Sequence, residues 1–221
     1  MNHFNIEDSQ WVKEAFENKK YAFAADYIRL YAIYTYGGIY MDMDIEVLKQ
    51  FDSLLDKPYM FAYERSNRIG IEAGCFGAEK GNEFIKACLE HYTGRSFVKP
   101  NGEFDTLPLP QIMQKVMDEH GFQYEMYPWD YFTAKSYDTG IETPTENTFC
   151  IHHFAGSWKT EEEKQMLLKK RKYAAFMGKM LARNIVDFQY ALKNGGIKQA
   201  FLIGKEKIQR KRNGRSQSKR N

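Results

Sequence analysis

Apolar positions in residues 21–36, YAFAADYIRLYAIYTY, recur at helical spacing. Phe23, Tyr27, Leu30 and Tyr34 form one stripe, which predicts a helix with a buried face. Gly37 follows as a left-handed cap. A shorter helix is predicted over 9–20, capped by Ser9, with Trp11, Ala15 and Phe16 on one face. From residue 39 the period changes to two. Ile39, Met41, Met43, Ile45 and Val47 fall on one side of a predicted strand over 39–48, and Tyr40, Asp42, Asp44 and Glu46 on the other. Further strands are expected at 58–64, 122–127 and 148–154, with a glycine-rich loop at 70–81. Helices are expected at 82–92, 110–120 and from Thr160 to about Asn194, the last opening on Glu161, Glu162 and Glu163. Helices and strands interleave, so the fold class is α/β, a sheet flanked by helices.

Composition narrows the functional classes. The chain has 221 residues and a formal charge of +3. Eight basic residues and one acid lie between Lys205 and Asn221, leaving 24 basic and 28 acidic residues elsewhere. The basic character therefore belongs to a tail, predicted to be disordered, and the acidic body does not suit nucleic acid. That tail suits weak contact with an anionic membrane surface. Cys75, Cys88 and Cys150 are widely spaced and form no CxxC pair, which argues against a disulfide framework or structural zinc. The polar start, MNHFNIEDSQ, is no signal peptide, and no run reaches the roughly 20 apolar residues of a membrane span. The expected location is cytoplasmic, with the tail offering peripheral contact to the membrane's inner face.

The chemistry centres on GGIYMDMDIE, residues 37–46. Asp42 and Asp44 project to the same side of an extended segment. Their mutual repulsion is relieved by a hard divalent cation, Mn²⁺ or Mg²⁺, which also holds substrate phosphates. An isolated Asp-x-Asp is common on solvated strand ends. Upstream, Asp26 and Arg29 share a helix face, either as an ion pair worth little or as a sugar-binding pair. Downstream, IHHFAGSW carries His152, His153, Ser157 and Trp158. Neighbouring strand residues face opposite ways, so one histidine at most reaches the aspartates.

Taken together, YAFAADYIRLYAIYTYGGIYMDMDIEVLKQFDSLL, GCFGAEKGNEFI, YPWDYF and TENTFCIHHFAGSW resemble the DXD-containing sugar transferases. That group includes the yeast Golgi initiating mannosyltransferase, bacterial capsule and polysaccharide glycosyltransferases and, distantly, the glucosylating domains of large clostridial toxins. The resemblance covers about residues 10–160 and is closest to the bacterial members. It implies a GT-A-like fold, a Rossmann-like mixed sheet flanked by helices. It also implies a nucleotide-sugar donor (a UDP-sugar in preference to a GDP-sugar), Mn²⁺ or Mg²⁺, and retention of anomeric configuration. Carried over by position, Asp26 and Arg29 hold the donor sugar and Asp42 the ribose and sugar side. Asp44 becomes the main metal ligand. His153 is implied as a further ligand because it stands five residues before Trp158, as the toxins' carboxylate ligand does before its Trp. Ser157 and Trp158 close over the diphosphate. Glu64 and Glu72 are nearby nucleophile candidates, each expected at the surface. Members of the group open on a strand resembling Ile-Pro-Lys-x-Ile-His-x-x-Trp, which is absent here, and Ala25 stands where many carry Ser. The expected layout is a GT-A-like domain at 1–159, incomplete at its N-terminus, then a helical extension at 160–204 and the basic tail at 205–221.

The resulting expectation is a retaining, metal-dependent hexosyltransferase. It would move sugar onto a surface or capsular polysaccharide or a lipid-linked glycan of a bacterium. A non-catalytic binder of a partner or a sugar nucleotide is the alternative. A Mg²⁺-dependent phosphohydrolase would want Thr where Glu46 stands.

Overall fold

The computed structural model describes residues 4–156, 159–177, 181, 184–189 and 192–193. They divide into two units, Met1–Ser136 with Ile141–Trp158, and Tyr137–Gly140 with Lys159–Asn221.

The first unit opens with α1 (Gln10–Glu17), where the Ser9 side chain accepts the Val12 N–H. Trp11, Val12 and Ala15 are buried, and the Trp11 indole donates to Phe23 O at 3.3 Å. Phe16, expected inside, is 48% exposed and meets the ring of Tyr21. The buried stripe runs through Trp11 and Ala15, four apart, and continues on Val12. Phe16 lies past its edge. α2 (Tyr21–Tyr36) matches its predicted span. Ala24, Leu30 and Ile33 are its buried apolar residues, while Phe23, Tyr27 and Tyr34 flank them. Gly37 takes φ +72° with extended ψ, not the expected left-handed cap, and a Cβ there would stand 2.7 Å from Lys80 N. The close approach of the segment 78–80, as much as the dihedral, requires glycine.

The predicted strand over 39–48 is two strands. β1 (Gly38–Met41) ends before Asp42, and β2 (Ile45–Val47) begins after Asp44. β3 (Tyr59–Met60) and β4 (Cys75–Ala78) complete a three-stranded antiparallel sheet in the order β1-β4-β3. β2 pairs antiparallel with β5 (Cys150–His152) in a second sheet. The Asp-x-Asp turn is therefore the crossing from one sheet to the other. This explains why Met43 is fully exposed and Met41 and Val47 are 43% and 49% exposed, against the expected buried face. The expected single mixed sheet is thus two small antiparallel sheets. β1 to β4 all lie between α2 and α3 (Glu83–Glu90) with no α-helix among them, so no crossover exists to align them in parallel. Among the described residues, parallel pairing is confined to the bridge Ala62↔Tyr127, the remnant of the strand expected at 122–127.

β4 lies inside what was read as a glycine-rich loop. All four of its residues are buried, because both faces of the strand are covered. Phe76 and Ala78 join the main core with α1, α2, α3 and α4 (Leu109–His120), and Cys75 joins a smaller core with Leu54, Met60, Phe132 and Cys150. The cysteines are buried free thiols.

In the second unit α5 (Glu161–Met177) starts with a capping box: Thr160 N–H donates to Glu163, and Glu163 N–H to Thr160 Oγ1. Among the described residues no helix is long and apolar enough to cross a membrane. The basic tail lies outside the described residues.

Candidate functional site

The site forms where α2, the turn between β1 and β2, the segment before β4 and the end of β5 converge. Its base is the tripeptide Glu72-Ala73-Gly74. Ala73 O accepts the Arg29 guanidinium at 2.7 Å, and Gly74 O accepts the Asp42 N–H at 2.7 Å. The approach of His152 demands glycine at 74, since a Cβ would stand 2.6 Å from the imidazole Cε1.

Arg29 is 9% exposed and joins two acids. Its guanidinium lies 3.4 Å from Asp26 and 3.3 Å from Asp42, and 4.7 Å from the Tyr40 ring centre. A cation so enclosed requires such partners. Asp26 also takes a hydrogen bond from the backbone of Leu109, at the start of α4. Burial raises the Asp26 carboxyl to about 6, the opposing pull of Arg29 being partly offset by the negative charge of Asp42. Tyr40 donates to Asp42 Oδ1 at 2.6 Å. Burial, followed by the opposing effect of Arg29 and then the bond to Asp42, leaves the Tyr40 phenol raised and protonated.

Asp44 is fixed from the other side. Phe154 adopts φ +53°, uncommon for a bulky residue, and the chain turns so that Ala155 N–H donates to Asp44 Oδ2 at 2.7 Å. Backbone pairing of His153 N–H with Asp44 O, at 3.0 Å, sets the register.

The structure separates the two histidines. His152 Nε2 lies 3.6 Å from Asp44 Oδ1 and its ring stacks on Phe154 at 4.1 Å. His153, the implied ligand, instead faces Glu46 at 2.7 Å, with Lys135 and Glu142 around its other nitrogen. The antiparallel register pairs Ile45 with His152, which brings His152 beside the Asp-x-Asp turn and sends its neighbour to the opposite face.

Glu72, expected at the surface, is 1% exposed. Its Oε1 accepts Gly74 N–H at 2.6 Å and faces His152 Nδ1 at 3.0 Å, and its Oε2 accepts the Thr133 hydroxyl at 2.7 Å. Burial opposes ionisation, but His152, Thr133 and Gly74 outweigh it and hold the Glu72 carboxyl below its usual range. For His152, burial disfavours the charge, yet Glu72 and then Asp44 and Asp42 raise the imidazole to about 9. With both oxygens engaged, Glu72 does not serve as a nucleophile. Glu64 is largely buried beside Arg65, its carboxyl raised by burial and by Glu72.

Asp42, Asp44 and His152 each bring one ligand atom within 4.8 Å of the others. The two carboxylates suit hard cations such as Mn²⁺ and Mg²⁺, and of these the imidazole nitrogen suits Mn²⁺ better. Among the described residues, the cations facing Asp26, Asp42, Asp44 and Glu72 are Arg29 and His152, so the cluster stays net negative in either state of the imidazole. The donors are partly exposed, which leaves room for a ligand supplied from solvent. Asp26, Arg29, Asp42 and Asp44 are thus brought together, while Ser157 and Trp158 lie outside the described residues. Thr133 carried no sequence signal; alternation placed Tyr40 on the face of Asp42, and Glu72 was expected at the surface because an acid among glycines reads as solvated.

Residues 1–61 match a family model described as the glycosyltransferase sugar-binding region containing the DXD motif. Inositol phosphoceramide mannosyltransferase 3 of Schizosaccharomyces pombe is 31% identical over 86 residues, 38% of this chain and 24% of the relative. Mannosyl phosphorylinositol ceramide synthase SUR1 of Saccharomyces cerevisiae is 31% identical over 99 residues, 43% of this chain and 25% of the relative. The matched stretch thus spans about a quarter of the length of these relatives. No solved structure matches the chain.

Proposed function

Because residues 1–61 match the DXD-containing glycosyltransferase sugar-binding family, we propose that this chain carries the donor site of a retaining, metal-dependent hexosyltransferase of GT-A type. The observation that carries the reading is the convergence of Asp42, Asp44 and His152 on one point beside the buried Asp26–Arg29 pair. Asp42, Asp44 and His152 would hold Mn²⁺ or Mg²⁺. Such a cation offsets charge growing on a departing diphosphate.

The protein's own part is positioning. Arg29 and Tyr40 fix Asp42 from behind, and Ala155 N–H fixes Asp44. These contacts orient both carboxylates in the absence of substrate. Asp26, at the inner end of the cluster, is the sugar-hydroxyl acceptor. The transferred sugar is a hexose, with mannose favoured because both relatives are named for mannosyl transfer. The acceptor is a hydroxyl on a lipid-borne headgroup or glycan. The relatives' names favour this over capsular polysaccharide, and no comparison supports a bacterial capsule.

A thermal-shift panel of UDP- and GDP-hexoses with and without Mn²⁺ tests the reading. A ligand at a hundred times its dissociation constant adds about 2.7 kcal/mol, a rise of about 5–10 °C for a chain of this size. The expected outcome is a shift that needs sugar nucleotide and Mn²⁺ together. No shift with any pair would reject it.

A further inference from the structure

We propose that Glu72 is the positioning residue of this metal centre. Its carboxylate clamps the His152 imidazole so that Nε2, and not Nδ1, is presented beside Asp44 and Asp42. The inference rests on the reading of Asp42, Asp44 and His152 as a cation site, and it adds a residue outside that donor set.

The geometry has three parts. First, Glu72 stands behind the imidazole. Its Oε1 is 3.0 Å from Nδ1, while Nε2, on the opposite side of the ring, lies 3.6 Å from Asp44. A ring nitrogen bonded to a buried carboxylate carries its hydrogen there, which leaves the other nitrogen to ligate. Second, Glu72 is itself held on both carboxylate oxygens. Gly74 N–H and the Thr133 hydroxyl occupy both its oxygens at 2.6 and 2.7 Å, and it is 1% exposed. Third, the ring has little freedom to turn. Phe154 stacks on it, and position 74 approaches so closely that a Cβ would collide with the imidazole.

The same tripeptide therefore sets two donors through different atoms, His152 through the Glu72 carboxylate and Asp42 through Gly74 O. Glu72 lies behind the imidazole, outside the donor group. Its effect on a cation passes through His152, and its loss should reduce affinity and change ligation without removing the carboxylates.

The test uses the full chain with Mn²⁺ alone. Affinity is read by calorimetry, and nitrogen ligation by the modulation that a bound imidazole imposes on the Mn²⁺ electron spin echo. Wild type should show nitrogen modulation, and His152→Ala should abolish it. Glu72→Gln should weaken Mn²⁺ binding about 10–100-fold, the usual effect of losing such a partner, and diminish the modulation while the melting temperature with chelator stays near wild type. Thr133→Val, which removes the hydroxyl that donates to Glu72 and keeps the backbone carbonyl that accepts the His152 N–H, should move both readouts in the same direction by less. It serves as the test should Glu72→Gln fail to fold. Mn²⁺ bound by wild type with no nitrogen modulation would overturn the role of Glu72 while sparing the carboxylate site. Unchanged affinity and modulation in the variants would overturn it as well. A wild-type chain that binds no Mn²⁺ would remove the underlying site, and the inference with it.

Discussion

At the scale of single residues, the two histidines make the sharpest contrast. Adjacent in sequence, they face different neighbours, His152 the aspartates and Glu72, His153 the exposed Glu46. His152→Ala should therefore weaken Mn²⁺ binding by tenfold or more, and His153→Ala by much less, as calorimetry on the two variants would read. His152 also links stability to pH. Its imidazole, ordinarily near 6.5, is raised to about 9 in the fold by Glu72, Asp44 and Asp42 against the effect of burial. A raised folded value means the contribution is complete below about pH 6.5 and disappears as pH climbs through about 9. Metal-free wild type should thus lose its stability advantage over His152→Ala across that window, measured as melting temperature in chelator. Parallel curves for the two proteins would show that the charged imidazole contributes nothing. The position of Glu72 could not be read from the sequence. Its burial depends on Thr133, 61 residues away, and nothing in IEAGC marks that partner.

At the scale of elements, the helices were legible and the strands less so. α2 begins and ends where its hydrophobic period does, and Ser9 caps α1 as its side chain dictates. Alternation misled at 39–48, because a period of two persists across a turn: Gly74 O takes the Asp42 N–H and Asp42 O takes the Ile45 N–H, so the chain changes sheet without changing pattern. β4 was missed for the opposite reason. A strand buried on both faces shows no alternation, and Gly77 with the glycines flanking the strand reads as loop. Gly37, between α2 and β1, has a stricter role than the expected cap. Gly37→Ala should cost about 1–3 kcal/mol, the scale of a residue forced into a sparsely populated backbone region, since its Cβ would also meet Lys80 N. Urea denaturation would measure the loss. A variant as stable as wild type would mean that the α2–β1 junction relaxes freely.

At the scale of the molecule, α2, the crossing between the two sheets, the segment before β4 and β5 meet at one point. α2 delivers Asp26 and Arg29, the crossing between sheets delivers Asp42 and Asp44, and β5 delivers His152. The sequence resemblance named most of these residues because they lie in short, ordered motifs. It pointed to His153, whereas the strand register brings His152 to the aspartates. Titration of Mn²⁺ into the full chain by calorimetry, with a nucleotide-hexose that shifts its melting temperature present in excess, tests the convergence most directly. Wild type should bind one Mn²⁺ per chain, and Asp44→Asn, which removes charge but little volume, should bind none measurably while melting near wild type. Equal Mn²⁺ affinity in wild type and Asp44→Asn would contradict a cation held by the Asp-x-Asp turn.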